Sequence, residues 1–396
     1  MADIDLTREV HGYPGPAINV GAIARELSGL WQAPAIDELR REDVVPSRTS
    51  VLNLIVHASG PAATSQVEAV VDQLAVHHPS RVIIFSVSPD PTTFAADVDA
   101  EVNAHCRVRG PDSHVATCYE QVTIPTPPDA LPYLRTVIAP LVLPDLPRIL
   151  WWTGQPPLHD RDFARTVTVA DRLVYDSREF TQGPSSLGRL SDLARVLGDR
   201  CVLSDLGWAR LRQWRELTAQ FFDIPEHRWA LDEVTTVTIG YGHDAAQSGN
   251  PVAALLYTGW ASSRLGWQVV QTERREPGAW ESLVRRADGG ELTLRVQPVP
   301  APPALHGALM STALRARDRR RSAEFSAERV GDNSAIRMRA SQRGKPPLEH
   351  AVRCPPHDLA TLLVHELNQG GRDGVFEDAL REARHVADAL RSWGKP

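Results

Sequence analysis

The chain has 396 residues, which is long enough for two or three domains. Hydrophobic residues make up 42% and charged residues 23%, as in ordinary globular proteins, so a sizeable core can form and general disorder is excluded. The formal net charge of -6 gives no electrostatic reason to expect nucleic acid or an anionic membrane as a partner. No apolar run reaches the length that spans a bilayer.

The cysteine content and the N-terminal sequence indicate a reduced, cytoplasmic protein. The opening MADIDLTREV lacks the basic start and apolar middle of a signal peptide. The cysteines are few and scattered, at Cys106, Cys118, Cys201 and Cys354. Only Lys345 and Lys395 are lysine among 43 basic residues, so neither a P-loop nor a Schiff-base lysine is expected.

Residues 1–45 are predicted to form an arm that includes a helical piece, and a βαβ unit is predicted after it. The segment TSVLNLIVHA and the segment HPSRVIIFSVSPD are typical of strands, and the residues between them have helical spacing. Such a crossover produces parallel strands with a helix on the sheet face.

Strands and helices continue to alternate to about residue 223. Two strands around Gly110-Pro111-Asp112-Ser113 form a predicted hairpin, because that sequence has turn chemistry. A helix over 129–143 is then predicted to lead into the strand RILWWTG. Residues 46–228 are therefore predicted to form an α/β N-terminal domain with a mixed sheet.

The pattern changes after residue 228. A strand at DEVTTVTIGYG, a helix at NPVAALLYTGWASSRLGW, four further strand-like segments between residues 291 and 341, and two closing helices follow one another. Residues 229–396 are therefore predicted to form a C-terminal α+β domain.

Three motifs resemble cofactor or metal sites but fail on closer reading. Gly240 to Ala245 match G-x-G-x-x-A, yet no helix opens directly after them and no acidic residue stands about 20 positions on. His365-Glu366 lacks the second histidine of a zinc protease. The pairs His105/Cys106 and His114/Cys118 could supply zinc ligands, but neighbours on a strand point to opposite faces, so packed free thiols are expected instead. No cofactor and no metal are expected.

Two polar segments have both a structural and a functional interpretation. Asp176-Ser177 ends a predicted strand, where α/β folds often carry function, but these residue types also cap helices, and the cap is favoured. The arginine-rich segment Arg315 to Arg321 is interpreted as a solvated sheet edge, with binding of an acidic partner or a phosphate as the alternative.

Tryptophans cluster near the end of the first predicted domain. Trp151 and Trp152 should point to opposite sides if they lie on a strand, so one is expected to be core and the other to face a helix or a surface. A surface tryptophan could be an anchor at an interface, because Trp and Arg often dominate binding energy.

Several of these segments resemble the OpcA family, the glucose-6-phosphate dehydrogenase assembly proteins. The most specific are LVLPDLPRILWWTGQPP, LVYDSREF and LSDLGWARLRQWRELTAQFFD. The resemblance covers roughly residues 45 to 270 and more loosely the rest. It implies a non-catalytic protein that binds glucose-6-phosphate dehydrogenase, assists its oligomerisation and activates it, in support of the oxidative pentose phosphate pathway.

The motif residues are candidates for partner contact or for holding the α/β domain together. This motif set comprises Trp151, Trp152, Asp176, Ser177, Asp205, Trp208, Arg210, Trp214 and Arg215. The alternative function is a sugar-phosphate-binding or carbohydrate-active protein, in which tryptophan faces, Asp and Arg would contact a sugar.

Overall fold

A computed structural model of the chain describes residues 3–11, 19–41, 43–88, 98–108, 114–245, 249–331 and 333–392. The described residues divide into two compact units that alternate along the chain. The first unit takes those within Met1–Tyr175, Leu197–Ser204 and Leu359–Gly370. The second unit takes those within Asp176–Val196, Asp205–Asp358 and Gly371–Pro396. The predicted boundaries after residues 45 and 228 stay predictions.

Two sheets and twelve α-helices organise the described residues. The first sheet contains β1 (Asp3–His11), β2 (Val45–Arg48), β3 (Leu52–Ser59), β4 (Ser80–Val87), β5 (Val98–Val108), β6 (Val115–Thr126), β7 (Arg148–Trp152), β8 (Arg172–Tyr175) and β9 (Val202–Asp205). The second contains β10 (Val234–His243), β11 (Gln268–Glu276), β12 (Ala279–Arg285), β13 (Glu291–Pro300), β14 (Leu309–Arg317), β15 (Ser322–Val330), β16 (Ala335–Gln342) and β17 (Leu348–Arg353). The helices are α1 (Val20–Gly29), α2 (Pro34–Arg41), α3 (Pro61–Leu74), α4 (Leu134–Ile138), α5 (Arg161–Val167), α6 (Gly183–Leu197), α7 (Leu206–Arg210), α8 (Arg212–Gln220), α9 (Trp229–Asp232), α10 (Val252–Leu265), α11 (Leu359–Asn368) and α12 (Gly374–Ser392).

The first sheet has the strand order β1-β5-β6-β4-β3-β7-β8-β9, with β2 paired to β6. Strands β6, β4, β3, β7 and β8 run parallel, whereas β1 and β5 are antiparallel to their neighbours. Counted along the chain, the six strands from β6 to β9 have the order 3-2-1-4-5-6. This is the order of a doubly wound dinucleotide-binding sheet, whose switch point lies between β3 and β7.

The predicted βαβ unit is confirmed as β3-α3-β4. Leu54, Ile55 and Val56 are all buried, as expected for a parallel strand covered on both faces. Helix α3 begins at Pro61, where the missing N–H of proline carries no penalty. Its buried side chains, among them Val67 and Leu74, pack against this part of the sheet.

The predicted hairpin is confirmed as β5 and β6, although its turn at residues 110–113 lies outside the described residues. The expectation of packed free thiols there is wrong, and so is the expectation that all the cysteines are reduced. Cys106 and Cys118 face each other across the pair and form a disulfide, which packs with Ala33 and Ile36 in one buried cluster. Directly opposed residues of an antiparallel pair bring their Cβ atoms within disulfide range, and the sequence pattern did not fix that register.

The second sheet has the order β11-β12-β13-β10-β14-β15-β16-β17. All neighbours are antiparallel except β10 and β13, which are parallel. Helices α10 and α12 pack against each other, and α12 also contacts β11. The chain is therefore broadly α/β, with a helix-packed sheet in each unit.

The helix predicted over 129–143 is shorter in the structure. A 3₁₀ helix over Pro128–Tyr133 precedes α4, which ends at Ile138. Pro132 has no N–H to donate within a continuous α-helix, which accounts for the tighter first turns. Among the described residues, no helix combines the length and apolar character needed to cross a membrane.

Candidate functional site

The tryptophan pair of the motif set lies at the switch point of the first sheet. Trp151 and Trp152 are the last residues of β7, and they pair with Val56 and His57 of β3. In open α/β sheets, the crevice outside the carboxyl ends of the strands at this point is where ligands bind. The sequence did not reveal this location, because strand order cannot be read from local pattern.

Both tryptophans are buried, at 2% and 4% exposure, so neither faces the surface. The other alternative, that one of them faces a helix, is confirmed for Trp152, which contacts Phe163 of α5. The Trp152 ring stacks on His57 with 3.6 Å between centroids, and it meets the edge of Phe163 at 4.8 Å. Burial lowers the pKa of His57 to about 4, so a neutral imidazole lies against the indole. In the isolated chain, both tryptophans are therefore core residues, and they pack beside the carboxyl end of β3.

The connection from β3 to α3 differs from a dinucleotide-binding turn. Its sequence, Ala58-Ser59-Gly60-Pro61, contains a single glycine, whereas the fingerprint needs three at fixed spacing. Gly60 has φ 91°, which suits the tight turn. Pro61 at the first helical position removes one of the N–H groups that would face a pyrophosphate.

The G-x-G-x-x-A match belongs to the second sheet and serves packing. Gly240 and Gly242 lie inside β10 rather than in a turn before a helix. A Cβ at Gly242 would overlap the carbonyl oxygen of Leu305, and one at Gly240 would overlap Ser311. These glycines therefore allow a close approach of neighbouring chain segments to β10.

Four of the motif residues form one network in the second unit. Asp176 accepts two bonds from Arg210, at 2.8 Å to Nη1 and 2.7 Å to Nη2. It also accepts from the backbone N–H of Arg178 at 3.1 Å and so caps a short 3₁₀ helix, which confirms the predicted cap. Asp205 accepts from the backbone N–H groups of Ser177 at 2.9 Å and Gly207 at 2.8 Å.

The Asp205 carboxyl is 1% exposed and has an unusual titration. Burial raises its pKa to about 7, and the nearby charge of Asp176 raises it further, while the bonds from Ser177 and Gly207 oppose the shift. Among the described residues, Oδ2 of Asp205 has no hydrogen-bond partner. The carboxyl therefore acts as a buried connector between two chain segments rather than as an accessible acid.

The remaining tryptophans of the motif set are also packed within the second unit. Trp208 is 3% exposed, and its Nε1 donates to Asp373 Oδ2 at 2.8 Å. The guanidinium of Arg215 lies 3.6 Å from the centre of the Trp208 ring, a cation–π contact. Trp214 is 2% exposed, with Arg329 above its ring at 5.7 Å.

The structure thus separates the motif set into two groups. Trp151 and Trp152 lie in the first unit, and the other seven residues lie in the second. Sequence reasoning missed three of their partners, His57, Asp373 and Asn250. Asn250 donates to the backbone carbonyls of Ser177 and Arg178 at 3.0 and 2.9 Å, and only its role as a helix start was visible in the sequence. Contact of the motif set with a partner stays a prediction.

The arginine-rich segment is not at a sheet edge, so that part of the prediction is wrong. Strand β14 lies between β10 and β15, and the arginines run from its end into the hairpin. Arg315 pairs with Glu324 at 3.0 Å, and Arg321 pairs with Asp318 at 2.7 Å. The sequence alternation could not distinguish a solvated hairpin from a solvated edge. Within the part of the chain that is described, no cluster of His, Cys, Asp or Glu could hold a metal ion.

Comparison with known proteins shows which family models and relatives the chain matches. Residues 71–192 match the model described as the glucose-6-phosphate dehydrogenase subunit N-terminal domain, and residues 201–380 match the model of its C-terminal domain. An OxPP cycle protein OpcA of Synechococcus elongatus is 30% identical over 327 residues, which cover 80% of this chain and 69% of that protein. Its counterpart in Nostoc punctiforme is 34% identical over 206 residues, which cover 52% of this chain. That alignment spans 42% of the Nostoc protein.

A solved structure has a similar fold. The glucose-6-phosphate 1-dehydrogenase of Mycobacterium avium superposes with a TM-score of 0.54 at 13% identity, covering 88% of this chain and 93% of that one. At this identity the likeness concerns the fold alone. The two domain matches and the Synechococcus relative, in contrast, follow the sequence itself, and they show that the chain belongs to the OpcA family.

Proposed function

We propose that this chain is a non-catalytic assembly factor and allosteric activator that binds glucose-6-phosphate dehydrogenase in the cytoplasm and supports the oxidative pentose phosphate pathway. Membership of the OpcA family carries this proposal, through a relative named for the OxPP cycle and domain models named for a dehydrogenase subunit. The two units would then be an α/β domain and an α+β domain of a dehydrogenase-like fold without the dehydrogenase reaction.

The switch point supports the absence of catalysis. A dehydrogenase of this sheet order needs a glycine-rich turn after its first parallel strand, so that the backbone can approach the pyrophosphate. Here the corresponding turn has Gly60 alone, followed by Pro61. The buried indole of Trp152 and the half-buried imidazole of His57 stack at the neighbouring strand ends. These residues favour a switch point that is filled by packed side chains rather than by a cofactor.

An activator must bind the active form of its enzyme more tightly than the inactive form. Such binding uses exposed surface, and most of the motif set is buried. Asp176 and Arg210 keep 15% and 24% of their side chains exposed, and Arg215 is also partly exposed. We propose that these three residues can contact the dehydrogenase, while the buried tryptophans and Asp205 stabilise the fold of the activator.

The alternative, a sugar-phosphate-binding or carbohydrate-active protein, has one observation in its favour. Trp214 and Arg210 border a cavity of about 150 Å³ in the second unit. A cavity with an aromatic wall and an arginine could accept part of a sugar phosphate. This function predicts saturable binding of glucose 6-phosphate to the chain alone, without the dehydrogenase.

Turnover by the purified chain tests the non-catalytic part of the proposal, and complex formation tests the assembly part. We expect no NADP⁺ or NAD⁺ reduction when the chain is mixed with glucose 6-phosphate, and a stable complex when it is mixed with the dehydrogenase and analysed by sedimentation. Measurable turnover that scales with chain concentration, after removal of any contaminating dehydrogenase, would refute the non-catalytic proposal. A lack of any complex at micromolar concentrations of both proteins would refute the assembly proposal.

A further inference from the structure

The proposed activator function does not explain the lining of the cavity in the second unit. Its volume is about 150 Å³, several times the roughly 15 Å³ that admits one water. Three arginines line it, Arg178, Arg210 and Arg329, and its lining contains no Asp or Glu. The three guanidinium groups are half-buried. Asp176 pairs with Arg210 from outside the lining, and together with Glu179 it opposes the charge of Arg178, so three positive charges face two carboxylates and one positive charge remains in excess.

The arginines are held in place but retain unused donors. Arg178 donates from Nη2 to the carbonyl of Ala304 at 2.7 Å, and Arg329 donates from Nη1 to the carbonyl of Asn333 at 2.8 Å. Nε of Arg329 is buried, and among the described residues it has no hydrogen-bond partner. A guanidinium offers five N–H donors, so both side chains can bind an acceptor in the cavity without leaving their present positions.

The positive charges also act on one another. Burial lowers the pKa of Arg178, and the charges of Arg210 and Arg329 lower it further, against the opposing effects of Asp176 and Glu179. An anion bound in the cavity would relieve this mutual repulsion. Arg210 is neutralised by its two bonds to Asp176, so the unbalanced charge belongs mainly to Arg178 and Arg329.

We propose that this cavity binds the phosphoryl group of a small phosphate monoester. Planar guanidinium groups with several N–H donors suit a tetrahedral dianion, which can accept bonds from more than one of them at once. The apolar part of the lining, including Leu211, Trp214 and Leu305, lies beside the arginines and would contact the organic part of the ligand. This site is a property of the chain alone, so it does not depend on activation of the dehydrogenase.

Binding is tested on the full chain with inorganic phosphate as the first probe. Calorimetry at fixed ionic strength, set with chloride, should show saturable binding of phosphate and of glycerol 3-phosphate. Glycerol should not bind. Equal binding of glycerol and glycerol 3-phosphate would overturn the proposal, as would the lack of saturable binding of either phosphate compound at millimolar concentration.

Two variants test whether phosphate binds at these arginines. Arg329→Gln and Arg178→Gln should each weaken phosphate binding by about tenfold or more, because each removes charge-assisted hydrogen bonds. Arg339→Gln, at an exposed arginine of β16 in the same unit, is the matched control and should bind phosphate as the parent does. Circular dichroism shows whether each variant folds. If one variant does not fold, the other alone tests the site. Parent-like affinity in a folded variant at Arg178 or Arg329 would overturn the assignment.

Discussion

Asp205 is a carboxyl that the folded chain holds away from water. It receives backbone N–H bonds from Ser177 and Gly207 on two different segments, and it does so with a single oxygen, Oδ1. An asparagine at this position can keep that acceptor and has no charge to bury. The charge of Asp205 is therefore expected to cost stability, whereas its hydrogen bonds contribute to it.

We predict that Asp205→Asn removes a pH dependence of stability. The folded pKa is raised from 3.8 to about 7, so the unfolded chain releases its proton first. The stability that the protonated carboxyl contributes is complete below pH 3.8 and is lost as the pH rises through about 7. Relative to the parent, the variant should gain on the order of 4 kcal/mol between those limits.

Chemical denaturation of parent and variant at several pH values measures this gain. The exposed Asp129→Asn serves as the control and should leave the pH profile of the parent unchanged. If Asp205→Asn and the parent lose stability in parallel from low to neutral pH, the carboxyl is ionised in the fold and the prediction is wrong.

Trp152 gives a second prediction at this scale. Trp152→Ala removes a ring that is 4% exposed and stacked on His57, so the free energy of unfolding should fall by about 3–5 kcal/mol. Trp260→Ala, at a half-buried tryptophan of α10, should cost less. Urea unfolding of both variants measures the difference. A normal unfolding curve for Trp152→Ala together with lost activation of the dehydrogenase would instead identify an interface residue.

The sequence identified these residues as important but did not reveal which side chains surround them. The caps at Asp176 followed from side-chain chemistry, which acts within a few residues. The partners of Trp152, Trp208 and Asp205 come from distant segments, as with Asp373 for Trp208. Such pairings depend on topology, so a single sequence could suggest the tryptophans as important without showing that they are buried.

At the scale of elements, the contact between α10 and α12 is unusually close. Gly259 is the point of approach, because a Cβ there would overlap the carbonyl oxygen of Ala379 and crowd the backbone of Ala383. The facing residues Ala379 and Ala383 are both fully buried. Small residues on both helices therefore set the distance between their axes.

We predict that Gly259→Ala destabilises the second unit by about 1–3 kcal/mol, the usual cost of overpacking a rigid contact. Gly374→Ala is the matched control, since Gly374 begins α12 and a Cβ there meets nothing within 4 Å. Thermal unfolding should show a lower midpoint for the first variant only. Equal midpoints for the two variants would mean that the helices can separate without cost.

The predictable elements were those with strong local periodicity. Strands β3 and β4 and helix α10 followed from apolar runs and helical spacing. Strands β11 and β12 were missed because most side chains of β11 are exposed and several are charged, so the strand lacks a continuous apolar face. Their register depends on the pairing of β12 with β13 and on the turn at Gly278 between β11 and β12, where φ is 78°.

At the scale of the whole molecule, the fold and the sequence carry different information. The fold is similar to that of a glucose-6-phosphate 1-dehydrogenase, with a TM-score of 0.54. The sequence belongs to the OpcA family, and the residues at the switch point favour packing over cofactor binding. Composition and motifs predicted two sheet-containing parts but not a dehydrogenase-like architecture, because strand order is not encoded in any local pattern.

The steady-state kinetics of glucose-6-phosphate dehydrogenase, measured while the purified chain is titrated in, test the central claim most directly. We predict a saturable rise in the enzyme's kcat/KM for glucose 6-phosphate, with half-maximal effect at the concentration where the complex forms. Bovine serum albumin at equal mass concentration controls for nonspecific protein effects. Unchanged kcat and KM across the titration, with the complex shown to be present, would contradict the account.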